Sequence, residues 1–221
     1  REITAPHGMV LNPEPHCVEL VYAGQNVAVT ETATSFENER QKVEISLVKS
    51  IEQNERFGIG TNGEMKNISF GLFAAEEIVS ASGTSIPANG LVEIISLNED
   101  GTAKIKTDLP FGSYYVQELA TDSHYKLSDT KYPVTFGYAS QDTAVVKIAV
   151  NGGNAVENKL IYGSVSGKKI DENGDSLGGA LIGLFRTDDG EFTKENALMT
   201  TASAEDGSFS FESIPYGTWY V

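Results

Sequence analysis

Two stretches of this sequence align with each other without a gap: residues 35–49, SFENERQKVEISLVK, and residues 155–169, AVENKLIYGSVSGKK. The alignment pairs two polar positions in each stretch, Asn38 with Asn158 and Lys49 with Lys169. A second match follows each lysine, where FGLF in the first copy corresponds to IGLF in the second. An internal repeat of this kind predicts copies of one structural unit along the chain.

The ends of the repeat do not coincide with the ends of the chain. The segment EDGTAKIKTDLPFGSYYV ends at Val116 and matches EDGSFSFESIPYGTWYV, which ends at Val221. After Val116 the sequence continues as QELATDSHYKL, and the counterpart of that continuation is REITAPHGMVL at the start of the chain. Glu118 therefore corresponds to Glu2.

The positions of these matches divide the chain into a half repeat, a whole repeat and another half repeat. Residues 1–40 are predicted to be the C-terminal half of one repeat, residues 41–161 a complete repeat, and residues 162–221 the N-terminal half of another. A repeat cut inside a sheet leaves unpaired strand edges that have to be covered. We therefore expect the last segment to be completed by a copy of residues 1–40, either from the same chain or from a neighbouring molecule joined head to tail.

Strand signals run through the whole sequence. Segments such as VEISLVKSI, AVVKIAV, YYVQEL and FSFESI are separated by the turn sequences EDG, ENGD and NGG. The apolar spacing of NISFGLFAAEEIV is ambiguous, and a strand followed by a short turn or helical excursion is predicted there. Many short strands with few helical segments indicate an all-β chain, and a β-sandwich is the leading architecture.

Composition excludes several classes of function. With 31 acidic and 16 basic residues the formal charge is -15, which disfavours nucleic acid and anionic membrane surfaces as partners. No apolar run reaches the roughly 18 residues needed for membrane insertion. The single cysteine, Cys17, excludes an internal disulfide and is predicted to be a small buried or strand-edge residue. Because His7, His16 and His124 lack metal-ligand spacing, no metal and no cofactor are expected.

Three polar residues of the complete repeat are threaded into apolar strands. Lys49 has the same strand parity as the apolar residues of VEISL, so it is predicted to point toward the core. Glu118 shares parity with apolar residues of YYVQEL, and Asn158 lies in the final strand. An unpaired charge at such positions would be costly, which predicts that the three side chains meet.

A specific chemistry accounts for this trio. Burial favours the uncharged forms of an amine and a carboxyl, which makes the amine nucleophilic and lets the acid hold a proton. Attack of the Lys49 amine on the Asn158 carboxamide, with Glu118 as the acid and base, would expel ammonia and leave an amide between the two side chains. The protein would then be its own substrate in a single turnover and not an enzyme for a separate one.

The order of these motifs resembles the Cna B-type, or SpaA-like, repeat domain of Gram-positive surface adhesins and pilins. The resemblance rests on the lysine strand VEISLVK, the GLF strand, the turn PFGSYYVQE and the closing ENK, and it covers essentially the whole chain. It implies tandem immunoglobulin-like or prealbumin-like Greek-key β-sandwiches. It also implies an isopeptide bond from Lys49 to Asn158 with Glu118 as the catalytic acid and base.

For the split repeat the resemblance implies a corresponding bond from Lys169 to Asn38, with Glu2 in the catalytic role. KID at residues 169–171 agrees with the usual lysine, apolar, aspartate pattern of the first strand, whereas KSI at 49–51 departs from it. Lys168 is an alternative to Lys169 as the lysine that forms this bond. The gapless alignment favours Lys169.

The function predicted from these features is a structural stalk or fibre segment of an adhesin or pilus, outside the cell and attached to the cell wall of a Gram-positive bacterium. Its partners would be neighbouring repeats or further copies of itself. The alternative is an adhesin module that binds a glycan or a host matrix protein. Its candidate aromatic residues are Tyr22, Tyr132, Tyr138 and Trp219. A hydrolase is disfavoured because no catalytic serine, histidine and aspartate arrangement is visible.

Overall fold

Short strands account for most of the regular structure in a computed structural model of the chain, which describes residues 1–80 and 83–221. The strands are β1 (Lys42–Ile51), β2 (Ser69–Ala74), β3 (Ile78–Val79), β4 (Ser85–Ile86), β5 (Leu91–Ser96), β6 (Thr102–Ile105), β7 (Gly112–Ala120), β8 (Tyr132–Phe136), β9 (Val145–Ala149), β10 (Val156–Asn158), β11 (Tyr162–Lys168), β12 (Leu181–Arg186), β13 (Met199–Ala202), β14 (Ser208–Pro215) and β15 (Trp219–Tyr220). Two short 3-10 helices span Glu64–Asn67 and Val150–Gly153. The predicted all-β class is confirmed.

Two sheets form the central repeat. In the first, β1 pairs antiparallel with β6 on one side and parallel with β9 and then β10 on the other. The second sheet has the order β5-β2-β7-β8, with all neighbours antiparallel. Inward-facing apolar side chains from both sheets make one buried cluster, which includes Ile45, Leu47, Phe70, Leu72, Tyr114, Val116 and Phe136. This is a sandwich whose first and last strands, β1 and β10, lie side by side.

The segment after the central repeat begins a second sandwich. There β11 pairs with β14, and β12 lies between β13 and β15. A second apolar cluster joins this segment to the central repeat, with Phe57, Tyr125 and Leu160 on one side and Leu184, Phe211 and Ile214 on the other. The ring of Phe57 also meets that of Trp219 edge-on at 5.0 Å between centroids. The junction between the central repeat and the segment that follows it is therefore packed.

Residues 1–40 hold no strand longer than a single bridge, which joins Met9 to Arg40. They contact the central repeat through Gln141, which accepts a hydrogen bond from the Ala5 N–H on its side chain and one from the Leu11 N–H on its backbone carbonyl. Cys17 is exposed in this segment, so the expectation of a buried or strand-edge position is wrong. The physical reason is that the surrounding residues have no partner strand to pair with.

Residues 1–40 and residues 162–221 contact opposite ends of β1. Gln41 follows the first segment directly before β1, and its N–H donates to the Gly8 carbonyl. At the other end Ile51 lies opposite Asn158, and the side chain of Glu52 accepts hydrogen bonds from the Leu160 N–H and the Tyr162 hydroxyl. Ten residues of strand span about 30 Å, so the central repeat separates the halves by roughly that distance.

Candidate functional site

The lysine of the central repeat occupies an inward position of β1. Val43, Ile45 and Leu47 precede it at alternate positions, and all three are buried in the core. Lys49 continues this alternation and is only 3% exposed, while its neighbour Val48 faces outward. The local sequence thus places an amine where the pleat of the strand would otherwise place an apolar side chain.

The Lys49 amine is held by backbone carbonyls and lies near a carboxylate. Its Nζ donates to the carbonyl oxygens of Ser50 at 2.9 Å and Val156 at 3.0 Å. Glu118 Oε1 lies 3.8 Å away, and neither side chain of this pair reaches solvent. Burial lowers the pKa of Lys49 to about 8, and the charges of Glu118 and Glu157 oppose that shift only in part.

Glu118 reaches the site from the opposite sheet. It lies on β7, where a register shift next to Phe70 places Glu118 opposite that residue. Its carboxylate accepts the Asn158 side-chain amide on both oxygens, at 2.9 and 3.0 Å, and the Ser128 N–H on Oε2 at 2.9 Å. The carboxylate therefore links the two sheets through the middle of the core.

Asn158 presents its nitrogen to the acid and leaves its oxygen without a donor. Besides Glu118, its Nδ2 donates to the Thr121 hydroxyl at 2.8 Å, and the residue is 1% exposed. Asn158 Oδ1 is the one buried side-chain polar atom without a hydrogen-bond partner among residues 1–80 and 83–221. The structure thus brings the three predicted residues of the central repeat together, with the amide nitrogen directed at the acid.

The split repeat shows two of its three predicted residues together. Asn38 Nδ2 donates to Glu2 Oε2 at 2.7 Å, and both side chains are half-buried. Lys169 lies in the other half repeat, where it is exposed and its Nζ donates to the Ile170 carbonyl at 3.1 Å. The structure does not bring Lys169 to the Glu2–Asn38 pair within the chain.

Thr121 and Ser128 are contacts of this site that the sequence did not reveal. Both follow β7 in a segment without regular strand structure, so neither strand parity nor motif spacing marks them. The internal alignment carries a partial signal, because it pairs Ser128 with Asn12, whose N–H donates to Glu2 at 2.7 Å. Thr121 corresponds to Ala5 and lacks such a signal.

The aromatic residues considered for the alternative function, binding of a glycan or a host matrix protein, differ in exposure. Tyr22 is 76% exposed, whereas Trp219 packs on Phe57 and donates from its ring nitrogen to the Pro215 carbonyl. Tyr138 lies against His7 at 4.4 Å between ring centroids. These positions do not form one continuous aromatic surface.

Residues 1–80 and 83–221 lack two further classes of feature. No group of three or more histidine, cysteine or acidic side chains is placed to hold a metal ion there. Nor does that part of the chain contain a helix with the length and apolar character to span a membrane.

Comparison with known protein families identifies the family of this chain. A family model described as the SpaA prealbumin-like fold domain matches residues 41–153 and again residues 163–221. The chain belongs to the SpaA prealbumin-like fold family. The SpaA match covers most of the sequence and contains Lys49, Glu118 and Lys169. A comparison with curated protein sequences found no match.

Several solved structures are similar to this chain at low sequence identity. The Bacillus anthracis TIE protein is 20% identical with a TM-score of 0.62, over 99% of this chain and 34% of that one. The streptococcal ancillary pilin is 17% identical with a TM-score of 0.36, over 98% and 66% of the two chains. The C-terminal fragment of the pilus adhesin SpaC from Lactobacillus rhamnosus GG is 13% identical with a TM-score of 0.44, over 82% and 73%. This chain spans about a third of the TIE protein structure.

Proposed function

We propose that this chain is a stalk segment of a bacterial surface protein, whose central repeat is closed by an amide bond between Lys49 and Asn158. The bond would form by reaction of the folded protein with itself, and Glu118 would act as acid and base. The observation that carries the proposal is the burial of an amine and a carboxamide against the same carboxyl inside an otherwise apolar core. Membership of the SpaA family supports it.

The nucleophile would be the neutral amine of Lys49. With a pKa of about 8, a substantial fraction of this amine is unprotonated near neutral pH, unlike an ordinary lysine. A neutral amine has two hydrogens, which matches its two hydrogen bonds to the Ser50 and Val156 carbonyls. Those bonds leave the nitrogen lone pair available for attack.

Glu118 would accept and donate the protons that are transferred in the reaction. As the Lys49 Nζ to Asn158 Cγ bond forms, the nitrogen gives up one proton, and the Cγ to Nδ2 bond breaks with Nδ2 leaving as ammonia. Because both oxygens of Glu118 contact Nδ2, the acid is placed to protonate the leaving group. One ammonia is lost for each bond, and the carboxyl ends in its starting state.

The unpaired oxygen of Asn158 supports the idea that the unlinked trio is not the final state of the protein. A buried acceptor without a donor costs about 1–3 kcal/mol, and such atoms are rare in native structures. A site that served only to pair charges would be expected to satisfy this oxygen. The condensation would keep this oxygen as the carbonyl of the new amide and release Nδ2, so that a protonated Glu118 would then be free to donate to it.

The bond would suit a stalk under tension. It would join the first strand of the central repeat to the last, closing a loop of about 110 residues that contributes roughly 4 to 5 kcal/mol on the chain-entropy view. Asn158 lies just before the linker to β11, so pulling on the chain would load the amide bond instead of peeling β10 from β1. We place this stalk outside the cell, attached to the wall of a Gram-positive bacterium.

Intact-mass measurement of the purified chain tests the proposal. The wild-type chain is expected to be lighter than its sequence mass by one ammonia, and Glu118→Gln is expected to have the full sequence mass. Glu44→Gln is the matched control, because Glu44 lies on β1 and pairs with Lys104 and Lys106 away from the site. A wild-type chain at full mass would contradict the proposed function.

A further inference from the structure

Three acceptors surround the side-chain nitrogen of Asn158. Its Nδ2 donates to Glu118 Oε1 at 2.9 Å, to Glu118 Oε2 at 3.0 Å and to Thr121 Oγ1 at 2.8 Å. Asn158 and Glu118 are buried and Thr121 is half-buried. The surroundings of this nitrogen are therefore set by the protein.

The acceptors around this nitrogen outnumber its hydrogens. A carboxamide nitrogen carries two hydrogens, so two of its three contacts have to share one. When the bond to Cγ breaks, the same nitrogen takes up a proton and leaves as ammonia with three hydrogens, one for each acceptor. The arrangement therefore suits the leaving group better than the amide that precedes it, and such a difference in binding accelerates a reaction.

The corresponding pair in residues 1–40, all of which the structure describes, has two acceptors. Asn38 Nδ2 donates to Glu2 Oε2 at 2.7 Å and to the Val10 carbonyl at 2.9 Å, so two hydrogens meet two acceptors. Ala5 occupies the position that aligns with Thr121. A carboxyl and a carboxamide thus pair without a hydroxyl at this position, and pairing alone does not account for Thr121.

The end of β7 brings the Thr121 hydroxyl to the site. Along an uninterrupted strand residue 121 would face away from Glu118, which lies three positions earlier. Because β7 ends one residue before Thr121, the side chain reaches Asn158 instead. The next residue, Asp122, accepts a hydrogen bond from the Asn67 side chain at 2.7 Å, which holds this segment against the rest of the repeat.

We propose that Glu118 and Thr121 form a site for the ammonia released from Asn158, which makes Thr121 a further catalytic residue of the amide-forming reaction. The inference rests on the proposed function. It adds a contact that acts on the leaving group and not on the attacking amine.

The step balances without an added reagent. The Lys49 Nζ to Asn158 Cγ bond forms, and the Cγ to Nδ2 bond breaks with its electron pair on Nδ2. The proton given up by Nζ passes through Glu118 to Nδ2, which leaves as ammonia. Thr121 keeps its own proton and accepts a hydrogen bond from Nδ2, and this bond strengthens as positive charge develops on that nitrogen.

The rate of bond formation in Thr121 variants tests the inference. Unlinked full-length chain is refolded from denaturant, and the loss of one ammonia is followed by intact mass. Thr121→Val keeps the shape of the side chain and removes the acceptor, so the reaction is expected to slow about tenfold to a hundredfold. Thr121→Ser keeps the hydroxyl and is expected to react close to the wild-type rate. Thr135→Val is the matched control, because Thr135 is exposed on β8, and it is expected to react like the wild type.

Two measurements separate this role from a structural one. In a Lys49→Met background, which has no amine and cannot form the bond, denaturant unfolding is expected to show that Thr121→Val is folded under the refolding conditions. With Lys49 present, Thr121→Val is expected to lower the rate by the same factor at every pH, because the Lys49 amine contacts the Ser50 and Val156 carbonyls and not Thr121.

Several results would overturn the inference. These are a Thr121→Val chain that reacts at the wild-type rate, a Thr121→Ser chain as slow as the valine variant, or a pH profile displaced by Thr121→Val. Should the valine variant not fold, Thr121→Ala replaces it, since Ala5 occupies the aligned position beside a formed pair. Loss of folding in both would assign Thr121 a structural role and also overturn the inference.

The wild-type chain separates the two proposals. A wild-type chain that keeps its full mass after refolding overturns the proposed function and this inference with it. A wild-type chain that loses one ammonia at a rate independent of residue 121 overturns this inference alone.

Discussion

Lys49 occupies an inward position near the C-terminal end of β1, where the three preceding inward positions hold apolar side chains. Desolvation at that position lowers the pKa of its amine, and Glu118 supplies the one nearby carboxylate within salt-bridge distance. The same burial that makes this lysine costly for folding also makes it nucleophilic. Packing and reactivity therefore have a single physical origin at this residue.

The rate of amide formation should depend on pH through Lys49. Because the folded pKa lies near 8, below the usual value for lysine, the neutral amine is depleted as the pH falls below 8. The rate is expected to fall by about tenfold for each pH unit below that value and to level off above it. Refolding of unlinked chain at a series of pH values, followed by mass spectrometry, gives this profile. A rate that does not change from pH 6 to 9 would exclude Lys49 deprotonation as the controlling step.

Strand parity predicted that Lys49 and Glu118 point toward the core, and the cost of an unpaired buried charge predicted that they meet Asn158. Alternation along a single strand fixes the face of each side chain, and the repeat shows which strands belong together. The direction of the Asn158 amide and its contact with Thr121 could not be predicted from the sequence. They depend on a register shift between β2 and β7 and on a non-repetitive segment. Such details are set by tertiary packing and not by local sequence.

At the scale of elements, pairing decides which strand-like sequences become strands. Residues 16–22 alternate like β8, yet they form no strand, because the sheet that would receive them is not present beside them. The corresponding residues of the central repeat pair with β7 and enter the core. The alternating pattern therefore predicted the strand β8, whereas the same pattern in residues 16–22 did not correspond to a strand.

The turn between β5 and β6 holds the lysine strand in place. Gly101 has a φ of +78°, and a Cβ added there would lie 2.3 Å from the Lys49 carbonyl oxygen. Gly101→Ala is therefore expected to displace the end of β1, to cost of order 1–3 kcal/mol, and to lower the yield of the central bond. Intact mass and denaturant unfolding measure the two effects.

Gly207 provides the matched control for this substitution. It has a φ of +79°, and an added Cβ would lie 2.4 Å from the Lys169 carbonyl oxygen in the other half repeat. Gly207→Ala is expected to disturb that half repeat and to leave the central bond complete. Equal central yields for the two variants would show that this turn does not position Lys49.

For the whole molecule, the packed junction after the central repeat would determine where tension passes in the proposed stalk. Glu52 binds the linker at Leu160 and Tyr162, and Arg186 donates to the backbone carbonyl of Arg56. Force on the second sandwich would reach Asn158 through this linker, then cross the amide bond to Lys49 and β1. The strands between residues 49 and 158 would then lie outside the covalent load path.

Single-molecule stretching measures this load path. When the chain is pulled from points outside residues 41–161, the wild-type central repeat is expected not to extend. The Glu118→Gln variant is expected to release the loop between residues 49 and 158, which adds roughly 350 Å at about 3.3 Å per residue. An extension of that size in the wild-type chain would show that the bond does not carry the force.

The Lys49 amine and the Asn158 carboxamide are proposed to condense within one folded chain. Peptide mapping by tandem mass spectrometry of the purified wild-type monomer reports this bond directly. We expect one branched peptide that contains both residues, joined side chain to side chain with the loss of one ammonia. Recovery of the two residues only in separate, unmodified peptides would contradict it.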